Sequence, residues 1–310
     1  MALKFTSKIL LAKIETSYGV DPTPSGAANA ILATNVVLSP MEGNDVSRDL
    51  ETPYLGAQAT IPTELHMKIS FKVELQGGGT AGTPPGWGPL LRACAVAETV
   101  AAGTSVTYNP ITDSHESIAL HLWIDGTRYV LLGGRGSCKI NVTAQAIPYL
   151  EFEFQGFFTQ PGEQARPTPT LTGFQKPSVA TKANTPTFTI AGSNFTMRSF
   201  KLDLGNKIEN RFLIGSESVL ITDRADMIET SVEATLLTTF NPFTQAAAQS
   251  AVPVKLVHGT TAGKIATLNA PTAQLQRLQS LENQQGVLEW PLRMVPLPTS
   301  GNDQWTLVLT

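Results

Sequence analysis

The chain has 310 residues, two cysteines, 15% charged residues and a formal net charge of −3. That length suits two domains, each large enough to bury roughly two-thirds of the surface its unfolded chain exposes, and so sparse and slightly negative a charge excludes a general attraction for phosphate or an anionic membrane. Cys94 and Cys138 are expected as reduced, packed thiols; no run of eighteen apolar residues suggests a membrane-spanning helix, and Ile9-Leu10-Leu11-Ala12 is too short for the core of a secretory signal.

From the N terminus, residues 1–33 end in the Pro- and Gly-dense tract Tyr18-Gly19-Val20-Asp21-Pro22-Thr23-Pro24-Ser25-Gly26-Ala27-Ala28-Asn29-Ala30, which forbids a long regular element and is expected as an arm laid over the surface. A first domain spans 34–158, with strands expected at 35–38, 61–75, 118–132, 137–143 and 149–158 and a helix over 89–101 that puts Pro89 in its first turn. Residues 159–186, with Pro161, Pro167, Pro169, Pro177 and Pro186, are expected as an extended linker. A second domain spans 187–310, with strands at 198–204, 218–237, 252–257, 264–268, 286–295 and 304–310 and a short helix after Pro242. The turn cluster Gly301-Asn302-Asp303 is expected to fold the last strand back as a hairpin.

The two domains repeat one order of landmarks. Gly43-Asn44-Asp45-Val46 recurs as Gly205-Asn206-Lys207-Ile208, and Ile69-Ser70-Phe71-Lys72-Val73-Glu74-Leu75 as Thr230-Ser231-Val232-Glu233-Ala234-Thr235-Leu236. Trp87-Gly88-Pro89-Leu90 is matched by Phe240-Asn241-Pro242-Phe243, Trp123-Ile124-Asp125-Gly126-Thr127 by Leu256-Val257-His258-Gly259-Thr260, and Leu150-Glu151-Phe152 by Leu288-Glu289-Trp290. Colinear matches of this kind indicate two copies of one mostly β fold, and a duplication that repeats no reactive residue points to geometry as the product.

Period-2 alternation assigns the faces of the strands. Ile69, Phe71, Val73 and Leu75 lie opposite Lys68, Ser70, Lys72 and Glu74; Phe152 and Phe154 lie opposite Glu151 and Glu153; Val232 and Ala234 lie opposite Glu229, Ser231, Glu233 and Thr235. Such sheets are buried on one side and wet on the other, and their edges either are hidden or mediate association.

Chemistry is harder to find. His66, His115, His121 and His258 sit at no metal-ligand spacing, so no metal or cofactor is expected. Gly134-Arg135-Gly136-Ser137 lacks the spacing of a nucleophile elbow, and Gln76-Gly77-Gly78-Gly79-Thr80 has no Lys-Ser/Thr at a phosphate-loop distance. The carboxylate pairs Glu151 with Glu153 and Glu229 with Glu233 lie at even spacing on exposed strand faces, which describes a solvated surface better than a glycosidase site. The chain is not expected to be an enzyme.

The tract from Tyr18 to Ala30, together with the ending Leu288-Glu289-Trp290, Gly301-Asn302-Asp303 and Trp305-Thr306-Leu307-Val308-Leu309, resembles the major tail tube proteins of bacteriophages with long flexible tails, and within them those of transposable siphophages. The resemblance implies tandem β-sandwich domains, each with a short flanking helix, related to the type VI secretion tube protein. It further implies six domains per ring, stacking of rings into a hollow conduit for DNA, residence in the virion tail after synthesis in the host cytoplasm, and the tape measure protein and tail terminator as partners. Two domains per chain would make the ring a trimer with pseudo-sixfold symmetry.

A conduit must not grip phosphates, because a protein making six to ten phosphate contacts binds DNA strongly, with an affinity that falls by roughly 10³–10⁵ over a modest rise in salt. Lys68, Lys72 and Arg293 against Glu74, Glu151, Glu153, Glu229, Glu233 and Glu289 are the residues expected to line it, a weakly repulsive wall. The connections 43–60 and 205–215, with Gly43, Asn44, Arg48, Gly205, Asn206 and Arg211, are expected to project along the axis to the next ring. Rival readings are a carbohydrate-binding or adhesin module, for which four Trp and five Tyr are too scattered; an enzyme with an unrecognised site; and another virion protein, a decoration protein or a tail terminator.

Overall fold

The computed structural model describes residues 3–310, and its regular structure is mostly antiparallel strand, with three short helices. The first half carries β1 (Lys8–Ile14), α1 (Gly26–Asn29), β2 (Ala30–Ile31), β3 (Thr34–Ser47), β4 (Thr60–Glu74), α2 (Gly88–Arg92), β5 (Val96–Ala101), β6 (Ser105–Pro110), β7 (Ile118–Ile124), β8 (Thr127–Thr143), β9 (Tyr149–Phe157) and β10 (Gly162–Glu163). The second half carries β11 (Thr187–Ile190), β12 (Ser193–Asn194), β13 (Met197–Asp203), β14 (Asn206–Leu213), β15 (Ser216–Arg224), β16 (Met227–Glu233), α3 (Pro242–Ala247), β17 (Ala251–His258), β18 (Ala266–Leu275), β19 (Glu282–Gln284), β20 (Val287–Pro296) and β21 (Thr306–Leu309).

One pairing order appears twice. Strands β2-β1-β7-β8-β9-β4-β3 follow one another in the first half and β12-β11-β17-β18-β20-β16-β13 in the second. Even an irregularity is shared: the register shifts between Ile118 and Leu120 on β7 and between Val252 and Val254 on β17, and a bulge at matching points is a feature of the fold. Following the ladders from there, Gly136 pairs with Phe154 where Leu275 pairs with Met294. Leu150 therefore corresponds to Trp290, two residues beyond the expected Leu288, which is exposed. Letter similarity chose the wrong leucine; burial identifies the right position.

Long strands β8 and β18 each leave one layer and enter the other, so every half closes as two packed layers over a shared core. Alternate residues fill it: Met67, Ile69, Phe71 and Val73 from β4, Leu150, Phe152 and Phe154 from β9, with Trp87, Leu90 and Leu91 around α2. Each such side chain contributes about 1.5–3 kcal/mol when fully buried. The core continues without a break into Phe200, Leu202, Ile228, Trp290 and Met294 of the second half.

Four expectations are corrected here. The N-terminal segment is not an arm: β1 pairs with β7 from Lys8 opposite Ile124 to Ile14 opposite Ile118, which makes it an internal strand. The helix expected over 89–101 stops at Arg92, and Val96–Ala101 is a strand, because its β-branched residues pair with β6. Residues 159–186 do not stand apart from the domains they were expected to link, since Gly162 and Glu163 pair with β8 and Ala180 exchanges backbone hydrogen bonds with Gln145 and Ala146. The last strand, β21, does not fold back on β20 but crosses to the other layer, between β18 and β6.

Candidate functional site: a polar face shared by both halves

Two ladders join the halves. On one layer β13 pairs with β8, from Ser199 opposite Thr143 to Asp203 opposite Lys139. On the other, β21 pairs with β6, from Leu307 opposite Tyr108 to Leu309 opposite Val106. The first ladder makes a single eight-stranded sheet, β3-β4-β9-β8-β13-β16-β20-β19, with one face on the core and one polar.

That polar face holds all nine residues expected to line a conduit, and a network of ion pairs ties most of them. Lys72 Nζ lies 3.4 Å from Glu151 and 4.5 Å above the Tyr149 ring. Partial dehydration at Lys72 works against its charge, but Tyr149 and Glu151 outweigh it and leave the pKa raised. Glu229 receives Lys201 at 2.9 Å and Arg293 at 3.3 Å, and the hydrogen bond to Glu229 raises the pKa of Lys201. Lys68 and Glu74 lie on β4 opposite Gln155 and Tyr149 of β9, and Glu153 lies between Ser70 and Ser137. Glu233 stands exposed at the end of β16.

Glu289 departs from the expectation of an open carboxylate. Its side chain is only 2% exposed, gripped by Arg198 Nε at 2.8 and 2.9 Å and by the Ser231 hydroxyl at 2.9 Å. The Arg198 hydrogen bonds hold its pKa below the usual carboxylate range. It lies on the polar face, yet its charge is paired with Arg198 rather than free.

Four further charges on this face were legible but not counted: Lys139 alternates with Cys138 and Ile140, and Lys201 and Asp203 alternate with Phe200 and Leu202, while the bulge between Met197 and Ser199 turns Arg198 to the polar side. Lys139 and Lys201 both reach Asp203 at 3.7 Å. With these and with Arg277 and Glu282 included, seven bases meet eight acids, so the face is nearly neutral. Exposed pairs of this kind contribute only about 0–1 kcal/mol each; their effect is to cancel charge on a hydrated surface.

The connections expected to project along the axis differ from one another. Gly205 has φ +57°, and a Cβ there would meet the Ala225 carbonyl oxygen at 2.2 Å, so glycine is required at this turn. Asn206 then donates to the Cys94 and Gly136 carbonyls at 2.8 and 2.9 Å, Asn210 donates to Gln155 at 3.2 Å, and Tyr18 and Arg135 hold the Val219 backbone. Gly205 and Asn206 thus lock β14 and β15 sideways onto the first half; Arg211 and the tip at Ile214 remain exposed. Gly43, Asn44 and Arg48 are exposed on the matching arm formed by the outer parts of β3 and β4.

A hollow of about 460 Å³ lies on the polar face, lined by Lys201, Glu229, Arg277, Glu282 and Arg293 among others. Its charged lining differs from the mostly apolar pockets that take small ligands. Among the described residues no three His, Cys, Asp or Glu side chains group as metal ligands do.

Comparison with known families finds a match to the family described as phage tail tube protein over residues 6–299. No curated protein matches the chain.

Proposed function

We propose a specific tube architecture for this chain, which belongs to the phage tail tube protein family and is thereby a structural component of the virion tail that assembles into the tube. In this reading three copies close a ring of six quasi-equivalent domains, the polar sheet face turns inward, and the rings stack into a conduit for DNA. The observation that carries it is the β8–β13 ladder: two sheets of like topology already join edge to edge within one chain, so repeating the joint builds a closed barrel with no exposed edges.

A nearly neutral, ion-paired lining suits passage, because a hydrated wall without surplus cations gives phosphates nothing to replace their counterions with. The exposed tips of the two hairpins, near Arg48 and Leu55 in one half and near Arg211 and Ile214 in the other, meet the adjacent ring. The tape measure protein occupies the bore before DNA does, the terminator caps the last ring, and synthesis takes place in the host cytoplasm.

Negative-stain microscopy of the purified protein tests this reading. Hollow filaments whose end views show six lobes, with threefold symmetry at higher resolution, are the expected result. Solid fibres, or protein that stays monomeric at every concentration and salt condition, would refute it.

A further inference from the structure

The joint inside the chain carries more than a general likeness, because its register transfers to the two open ends. Within the chain, Leu202 on β13 faces Ile140 on β8, and both are buried. Leu38 corresponds to Leu202, since they pair with Ile69 and Ile228, and those residues in turn pair with Phe154 and Met294. Ile140 is matched to Leu281 by extending the register: Ile140 lies beside Leu150, the counterpart of Trp290, and the position one step beyond the last β19–β20 pair, Glu282 opposite Glu289, is that of Leu281 across from Trp290.

The burial of these positions splits accordingly. Ile140 is 1% exposed but Leu281 is 59% exposed, and beside the half-buried Leu38 stands Val37 at 61%. Among the described residues β3 pairs only with β4, and β19 only with β20. These are the two open edges of the eight-stranded sheet.

We infer that a second copy of this chain fills this gap, laying β3 antiparallel along residues 280–284 with Leu38 opposite Leu281, Ser39 opposite Ser280 and Val37 opposite Glu282. The inference rests on the tube reading for the existence of a neighbour and adds to it the partner strand, the direction and the register. Face parity agrees at these three positions; two extra residues between the Leu275–Met294 and Glu282–Glu289 pairs break the alternation before Ser280. Leu38 packs against the core as Leu202 does, Ser280 and Glu282 line the hollow on the polar face, and Leu281 alternates with them.

A further consequence concerns the outer half of the β3–β4 arm. Its second-half counterpart, β14–β15, lies sideways against the first half. The arm therefore lies against the next copy within the same ring, where exposed Met41, Val46 and Ile61 find cover. Only its tip is left to meet another ring.

The joint between copies is also the weaker of the two kinds. Inside the chain, β5 and β6 reach across to β21 and close the second layer. In the second half only three residues, Ala248 to Ser250, separate α3 from β17, so no such clasp exists to hold the neighbour.

The test is disulfide trapping with the full chain carrying Ser39→Cys and Ser280→Cys, oxidised with copper phenanthroline after assembly. Both serines sit on open edges, and the native Cys94 and Cys138 are buried. A non-reducing gel should show dimer and trimer, with bonding at least tenfold above the slipped pair Val37→Cys with Ser280→Cys. Because the two positions lie at opposite ends of one sheet, a bond within one chain is not expected. Val37→Cys with Glu282→Cys provides a second in-register pair should the first fail to fold. Normal filaments without in-register bonding, or with stronger bonding of the slipped pair, would overturn the register and leave the tube reading standing; absence of filaments from the unmodified chain would remove the tube reading itself.

Discussion

The two edges of β8 and β18 differ less in sequence than in company. Ile140 and Val142 on β8 are sealed by β13, whereas the segment that follows β18 presents Leu281 to solvent. One strand edge is part of a finished interior and the other is an unfinished one, although both halves share a topology. On the proposed tube reading, this chain encodes one joint as folding and leaves its equivalent for association, so the same substitution at matching positions should act on stability in one place and on assembly in the other.

Leu202→Ala and Leu38→Ala break that comparison most directly. Removing the fully buried Leu202 should cost about 2–5 kcal/mol, whereas the loss at half-buried Leu38 should stay below about 1.5 kcal/mol in the unassembled chain. Thermal unfolding of dilute protein measures both, and filament yield should fall for Leu38→Ala despite its near-normal stability. Equal destabilisation by the two changes would mean that the positions are not equivalent.

A smaller contrast lies in the two arms. Asn206→Ala leaves the Cys94 and Gly136 carbonyls without their donor and should cost about 1–3 kcal/mol. Asn44→Ala, on the exposed arm, should fall within about 0.5 kcal/mol. Urea midpoints of the two variants would distinguish them; a marked loss at Asn44 would indicate that its arm is already docked in the single chain.

The ion pair of Glu289 with Arg198 makes a prediction with pH. Because the pair depresses the carboxyl pKa in the folded chain, its stabilisation is present above the ordinary glutamate value near ~4.3 and is lost as pH falls through the depressed value. Glu289→Gln should therefore lower stability at neutral pH by about 1–2 kcal/mol, discounted for the exposure of Arg198, and flatten the acid limb of the stability curve. An unchanged acid limb would show that the pair is not made in solution.

Least costly to the fold are changes on the open part of the polar face. Glu153→Lys with Glu233→Lys should alter stability by no more than about 1 kcal/mol per site, yet would supply phosphate contacts at every ring. Slower DNA ejection from particles carrying both, relieved by added salt, is the expected outcome. Ejection at the normal rate in low salt would mean that this face does not line the bore.

How much of this was readable depends on the kind of signal. Alternation in Ile69 to Leu75 and in Leu150 to Phe154 assigned core and polar faces correctly, because a strand's period is fixed by its own backbone. The repeat of landmarks pointed to two copies of one fold, but not to the pairing order that the two halves share. Glu289 was misjudged because alternation gives a face and says nothing of Arg198, which reaches it from ninety-one residues away. The charge of the polar face was set too negative because the strands bearing Lys139, Lys201, Arg198 and Asp203 were not recognised as its neighbours.

By itself, then, the sequence determined the local facts: mostly β structure, two similar halves, one wet face per sheet and helices with Pro89 and Pro242 in their first turns. Only the tertiary structure decided which edges meet. It inserted β1 beside β7, carried β21 across to β6, and fused the two sheets at β8 and β13. The physical reason is that backbone hydrogen bonding between strands is nearly indifferent to side-chain identity. Partner choice therefore rests on shape, on the burial of side chains such as Leu202 and Ile140, and on turns such as Gly205, all of which depend on residues far apart in the chain.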